Sequence, residues 1–260
     1  MSGVGGPAAR RAGIQGTTMH NWNIINIARF PVISTDQPTL ARHLLDGLAA
    51  GRQSTVLFAN TNLVTKGRFL LDEPADGSLL LVNDGIGMDI AAKLFGGGAR
   101  FKANLNGTDF TPYLLRHAAQ PLRVFLVGGK PEVLVRAAAY VRDVLGQQVV
   151  GSCDGYAGLR DTPDLDARIN AAGAQVVLVA MGNPIQERWI LAHRAALDAA
   201  ILMGVGALFD FWAGDKPRAP RWVQKARLEW LFRLSLEPRR LLRRYTWDVL
   251  VFLRHCHKYR

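Results

Sequence analysis

The chain has 260 residues, 49% of them hydrophobic, and a formal net charge of +11. That length suits one large α/β domain with an appendage; two cysteines are too few for a disulfide framework, and no apolar run reaches the length of a membrane-spanning helix. The charge is uneven: residues 216–260 carry thirteen Lys and Arg against three acids, a net of +10, while residues 1–215 carry nineteen basic and eighteen acidic groups.

Residues 1–20 are rich in Gly and Ala without periodicity and are expected to be disordered, with Met19 as an alternative start. Arg10 and Arg11 precede no signal-peptide apolar core, so the cytoplasm is the expected compartment. Residues 22–32 read as a strand or hairpin. Residues 39–50, with Leu40, Leu44, Leu45 and Leu48 on one face, read as a helix. A buried strand over 54–59 exits into Asn60-Thr61-Asn62, which is either a polar site cluster or the cap of a helix over 63–71.

The stretch 78–89 organises the chain. Leu79-Leu80-Leu81-Val82 is a buried strand, Asn83-Asp84-Gly85 a turn, and Ile90, Ala91, Leu94 and Phe95 recur at helical spacing. Asp84 therefore stands where a strand of an open α/β sheet ends, the place where such sheets collect ligands. The competing role for Asp84 is the N-cap of the helix that follows. Gly96-Gly97-Gly98 breaks that helix, residues 101–109 read as a second strand with a polar exit, and residues 110–118 as a helix.

A strand over 122–127 runs into Gly128-Gly129-Lys130-Pro131, with a helix following to residue 145. Glycines at such a turn let backbone amides approach a phosphate, but the Gly-Lys-Ser/Thr half of a Walker motif is absent. A short strand over 148–151 leads to Cys153-Asp154-Gly155-Tyr156, and residues 164–172 read as a helix. Asp164-Leu165-Asp166 has the acidic spacing of metal-dependent glycosyltransferases. It opens a helix after Pro163, however, and reads as first-turn charge, so neither a metal nor a cofactor is expected. The last strands, 175–181 and 200–205, exit into Gly182-Asn183-Pro184-Ile185-Gln186-Glu187 and Gly206-Ala207-Leu208-Phe209-Asp210. This alternation predicts a doubly wound, mostly parallel, Rossmann-like α/β sheet with one polar rim at its strand exits.

Beyond Gly214, Trp222, Trp230 and Trp247 lie among arginines, and Pro238 divides the segment into two helices. A basic, Trp- and Leu-containing helix suits an anionic lipid surface better than a nucleic-acid groove. His255 and His257 beside Cys256 read as solvated terminal residues, not as metal ligands. The expected organisation is a disordered 1–20, a catalytic 21–215 and a membrane-binding 216–260. A nucleic-acid-binding protein and a non-catalytic nucleotide-binding regulator are the rival classes.

In order, Asn83-Asp84-Gly85, Val127-Gly128-Gly129, Asp154-Gly155-Tyr156, the run 181–187, the run 204–210, Arg218-Ala219-Pro220, Glu229-Trp230-Leu231-Phe232-Arg233-Leu234, Glu237-Pro238-Arg239-Arg240 and Arg243-Arg244-Tyr245 resemble the WecG/TagA/CpsF glycosyltransferase family over roughly residues 22–247. The resemblance implies inverting, metal-independent transfer of a sugar from a UDP-sugar to a polyprenyl-diphosphate-linked saccharide at the cytoplasmic membrane face. By the same likeness, Asp84 corresponds to the proposed general base and Gln186 to an active-site glutamine. Arg233, Arg240 and Arg243 correspond to arginines of an appendage that closes over the site. The substrate-binding candidates are Asn60, Asn83, Gly85, Asn106, Gly128, Gly129, Asp154, Gly155, Tyr156, Gly182, Pro184, Glu187, Gly206 and Asp210.

Phe58 stands where some members of the family place a threonine, which draws the donor away from UDP-N-acetylmannosamine and leaves a UDP-N-acetylmannosamine transferase of cell-wall polymer synthesis as the alternative. The Asn60–Asn62 and 104–109 runs look closer to the exopolysaccharide branch, similar to the xanthan-type β-1,4-glucosyltransferase, and imply UDP-glucose. The partners expected are the UDP-sugar, the lipid-linked acceptor and an anionic membrane surface, without nucleic acid. A homo-oligomer is left open.

Overall fold

The computed structural model describes residues 22–74, 76–220, 223, 229–236, 238, 242 and 246–260, with the backbone alone at 229, 230 and 233. The reading of residues 1–20 lies outside these. Among the described residues eight strands form one sheet in the order β1-β2-β4-β3-β8-β7-β5-β6. The strands are β1 (Asn23–Ile27), β2 (Phe30–Ser34), β3 (Ser54–Ala59), β4 (Leu79–Asn83), β5 (Arg123–Gly128), β6 (Gln148–Cys153), β7 (Val176–Ala180) and β8 (Ile201–Gly204). Only the β1–β2 pair is antiparallel. It is a hairpin whose two turn residues, Ala28 and Arg29, both have positive φ (50° and 73°), the backbone that matches the right-handed twist of the flanking strands.

Strand residues alternate between two cores, because successive side chains point to opposite faces of a pleated strand. Leu80 and Val82 of β4, Val124 and Leu126 of β5, and Leu178 of β7 enter one core with α1 (Gln37–Ala49), α4 (Gly107–Arg116), α5 (Pro131–Asp143) and α9 (Leu208–Trp212). Leu81, Phe125 and Val177 enter the other with α2 (Thr61–Lys66), α3 (Ile86–Phe95), α7 (Leu165–Ala171) and α8 (Ile185–His193). A short α6 (Ala157–Asp161) buries no residue. The doubly wound α/β expectation holds: helices cover both faces of a mostly parallel sheet.

Two local expectations are corrected. Residues 101–106 are not a strand; their polar groups bond singly to separate elements instead of forming a ladder. Lys102 N–H donates to Ser34 Oγ at 3.0 Å, Leu105 N–H to the Asn83 carbonyl at 3.0 Å, and Asn104 Oδ1 accepts from Gly85 N–H at 2.8 Å. The Lys102 ammonium also pairs with Asp36, the cap of α1, and with Thr39 holds that carboxyl well below the usual carboxylate range. The expected helix over 63–71 is split at Gly67 into α2 and a 3-10 turn, Arg68–Asp72.

The chain's end is solvated on one face, where His257 is exposed, but not at Cys256. In the terminal helix (Trp247–Lys258), Phe252 and Cys256 are fully buried and join the core beneath α2 and α3. Burial pushes the Cys256 thiol up to about 12, and the side chain packs as a small apolar group. The Arg68 guanidinium lies 3.8 Å over the Tyr259 ring, and burial together with Arg68 and Lys258 pulls the His255 pKa down.

Candidate active site

The carboxyl ends of β3, β4, β7 and β8 meet at one rim. β3 ends at Ala59, and Asn60 caps α2 by accepting from Asn62 and Leu63 N–H at 3.1 and 3.0 Å. β4 ends at Asn83, and the Asp84 N–H donates to the Ala59 carbonyl at 2.7 Å, which holds the two exits side by side. The N-cap of α3 is Gly85, not Asp84, and no side chain caps that helix. Gly85 adopts φ 93°, a region only glycine enters freely, and this lets the chain turn into α3 with the Asp84 carboxylate left at the rim.

Asp84 is partly exposed, and Asn60 Nδ2 lies 3.5 Å from its Oδ2 and 3.4 Å from Asn183 Oδ1. Asn62 Nδ2 reaches the Asn183 carbonyl at 3.4 Å. Asn183, in the turn after β7, donates to Glu187 Oε1 at 2.6 Å. The fold thus brings Asp84, Asn60, Gly182, Pro184, Gln186, Glu187 and Gly206 into one cluster around the β3, β4, β7 and β8 exits. Asn83 lies directly beneath it, fully buried.

Gln186 is 2% exposed and faces inward. Its Oε1 accepts from Gly182 and Gly206 N–H at 3.1 and 2.9 Å, and its Nε2 donates to Glu187 Oε1 at 2.8 Å. It clasps the β7 exit to the β8 exit.

A second group sits at the β5 and β6 exits. Gly129 N–H donates to the Ala180 carbonyl and Gly155 N–H to the Gly129 carbonyl, at 3.0 and 2.9 Å. Asp154 accepts from Tyr156 and Gly158 N–H at 2.9 and 3.0 Å, which fixes the turn that presents Tyr156, 63% exposed. The Gly129 amide is therefore not available to a phosphate, contrary to the sequence expectation. Nor are those of Gly85, Gly155, Gly182 and Gly206, since each already donates within the rim.

Gly128 has its own reason to be glycine: at φ 107°, a Cβ would lie 2.4 Å from the Ala180 carbonyl oxygen. Gly128→Ala combines a left-handed backbone penalty with overpacking against main chain, roughly 2–5 kcal/mol together. Urea denaturation is expected to show a midpoint lowered accordingly.

Two predicted residues lie apart, on the α4 and α9 side. Asn106 caps α4, donating to Asp109 Oδ2 at 2.8 Å and accepting from Asp109 N–H. Asp109 pairs with Arg218, and Asp210 with Lys216 at 3.0 Å. Asp109, Lys216 and Arg218 line a hollow of about 450 Å³ with Tyr113 and Trp212. Phe58 turns to this face as well, packing edge-on to Phe110 and against Gly107. A hydroxyl at that position would face core.

Arg240 and Arg243 lie outside the described residues. Arg233 belongs to a helix, Glu229–Leu236, whose side chain at that position is also outside them. In the 164–166 run, Asp166 lies in the first turn of α7 and accepts from His193 Nδ1 at 2.8 Å. Asn62, Asn104 and Asn183 lie in runs quoted from the sequence but were not among its candidate site residues. Each is an asparagine within two residues of a candidate, in a strand-exit or turn segment, and that was the signal available.

A partly exposed carboxylate among asparagines, at a crevice of parallel strand ends, suits proton abstraction from a hydroxyl held against it. A family model described as Glycosyl transferase WecG/TagA/CpsF family matches residues 25–260.

Proposed function

The chain belongs to the WecG/TagA/CpsF family and is a glycosyltransferase, and from that premise we propose that it moves a hexose, glucose, from a UDP-sugar to a polyprenyl-diphosphate-linked saccharide in exopolysaccharide synthesis, with inversion and without a metal. The observation that carries the reading is Asp84, partly exposed at the paired β3 and β4 exits with Asn60 beside it. In the proposed step the Asp84 carboxylate takes the acceptor hydroxyl's proton. That oxygen attacks the anomeric carbon from the face opposite UDP, the C1–O bond to the diphosphate breaks, and UDP departs with the electron pair. Aspartate is ionised at neutral pH unless its surroundings intervene, so it needs only to hold the hydroxyl within hydrogen-bonding reach.

The charge that gathers on UDP needs cationic stabilisation. The amides of Gly85, Gly129, Gly155, Gly182 and Gly206 are engaged, and Lys216 and Arg218 are paired with Asp210 and Asp109. Arg233, Arg240 and Arg243 are therefore assigned that role, as the family likeness implies. Exposed Asn and Gly groups of the rim, with Tyr156, are assigned to the donor. Phe58 packs toward α4 and away from the rim, so the choice of UDP-glucose over UDP-N-acetylmannosamine rests on the family likeness of the 60–62 and 104–109 runs.

The acceptor's lipid places the reaction at a membrane surface. No helix among the described residues is long and apolar enough to cross a membrane. Ile86, Ile90 and Leu94 nevertheless form an exposed stripe on α3, and Trp247, Leu250 and Val251 are exposed on the terminal helix packed against it. An apolar collar beginning two residues from Asp84, on a chain whose tail has a net charge of +10, fits a peripheral anionic-lipid contact. Replacing Ile90 and Leu94 by Asp is expected to cut binding to phosphatidylglycerol vesicles at least tenfold while leaving transfer to a detergent-dispersed acceptor within about twofold. Unchanged vesicle binding would remove α3 from the membrane contact.

The reading is tested by a panel of UDP-sugars with a polyprenyl-diphosphate-linked saccharide, following UDP release. Turnover with UDP-glucose is expected. Turnover with UDP-N-acetylmannosamine alone would replace the donor, and no turnover with any sugar would overturn the acceptor class.

A further inference from the structure

Behind Asp84 lies a carboxyl group that the transfer step does not use. Glu187, a substrate-binding candidate from the sequence, lies in the first turn of α8 and is 0% exposed, so it stands behind the rim and not on the substrate's side of it. Its Oε1 accepts from both Asn183 Nδ2 and Gln186 Nε2, while its Oε2 has no hydrogen-bond partner among the described residues. Gln186 holds the β7 and β8 exits together, and Asn183 Oδ1 faces Asn60 Nδ2, which also reaches Asp84. One buried carboxyl therefore orients both amides on which the rim's shape depends.

We propose that Glu187 is a positioning residue for Asp84, working as a neutral carboxylic acid through Asn183 and Asn60. This rests on the reading of Asp84 as the base. Neutrality follows from the surroundings. Among the described residues no cation pairs with Glu187: Arg188 on the same helix lies over the Phe69 ring at 4.0 Å, and the side chains that meet the carboxyl are the amides of Asn183 and Gln186. Asp84 is reached from Glu187 through Asn183 and Asn60. A second negative charge behind the base would raise the base's affinity for its proton and oppose the donor diphosphate. A neutral acid gives the same two acceptor contacts without that charge. Burial pushes the Glu187 carboxyl up from the usual range, against the smaller lowering effects of Gln186 and Asn183.

The sign of the pH effect follows. The unfolded chain loses the Glu187 proton near pH 4.3, about the ordinary glutamate value, while the folded chain keeps it to higher pH. The folded state then binds more protons, so Glu187 lowers stability progressively as pH rises from about 4.3 to its folded value.

The test compares Glu187→Gln, Glu187→Ala and Asp84→Asn on the full chain. Glu187→Gln keeps an acceptor and a donor without a charge, and its kcat is expected within about threefold of the parent, with an unshifted acid limb of the pH profile. Glu187→Ala is expected to lose kcat on the order of 10²-fold, the effect of displacing a catalytic group by about 1 Å, with donor KM little changed. The infrared band of a protonated carboxyl at neutral pH is expected in the parent and absent from Glu187→Gln. The Tm of Glu187→Gln is expected to rise relative to the parent as pH increases above about 4.3, with a constant difference below it.

A folded Glu187→Gln as inactive as Glu187→Ala, an unchanged infrared spectrum, or full activity in Glu187→Ala would each overturn the proposal. If Glu187→Ala fails to fold, the Gln variant and the infrared band decide. Turnover retained in Asp84→Asn would instead sink the reading of the base, whatever the Glu187 variants do.

Discussion

Asp84→Asn is expected to lower kcat by 10²–10⁴-fold, roughly the range that a positioned general base contributes. UDP binding, followed by calorimetry, is expected to stay within about twofold, because Asn conserves the volume and the carboxylate is assigned to the acceptor hydroxyl and not to the donor. The local turn is expected to be kept, because the Asp84 backbone N–H to Ala59 bond and the Gly85 conformation do not involve the carboxylate. The contact with Asn60, at 3.5 Å, is long enough to contribute little to stability. A loss of UDP affinity matching the loss of turnover would instead make Asp84 a donor-binding group.

The second large effect is at the other end of the chain. Phe252 is fully buried in the core shared with α2 and α3, and Phe252→Ala is expected to cost about 3–5 kcal/mol, the range for deleting a buried aromatic ring. At about 2–4 °C per kcal/mol for a domain of this size, Tm falls by roughly 10 °C. The loss matters for function because α2 is capped by Asn60 and α3 follows Asp84, so the helix carrying Phe252 supports both sides of the rim. Guanidinium or urea denaturation measures it, and an unchanged midpoint would mean that the terminal helix is not docked in solution.

The rim itself was partly legible in the residues. Runs such as 79–82 and 176–180 read as buried strands because both faces of a parallel sheet are covered, which needs apolar residues at every position. Asn60, Asp84 and Gln186 stood out because polar residues at strand exits are not needed for burial. Their separate jobs were not legible. Whether Asp84 capped α3 or faced the crevice depended on Gly85 taking the cap position, and whether Gln186 faced substrate or the interior depended on two amides contributed by β7 and β8 exits twenty-four residues apart at Gly182 and Gly206.

Local pattern was misleading where a segment's partners are remote. Residues 101–109 alternate as a strand does, yet they bond to Ser34, Asn83 and Gly85 one group at a time. His255 and Cys256 sit among charges near the terminus, yet the helix turns Cys256 into the core. Apolar periodicity, charge placement and turn residues lie in the chain's neighbouring positions, and they were enough for the α/β architecture, the order of its strands along the chain and the rim's chemical character. Which face covers a helix, which amide is already engaged and which carboxyl is kept from water depend on groups tens to hundreds of residues away. Those answers came only when packing brought the distant groups within hydrogen-bond and van der Waals range.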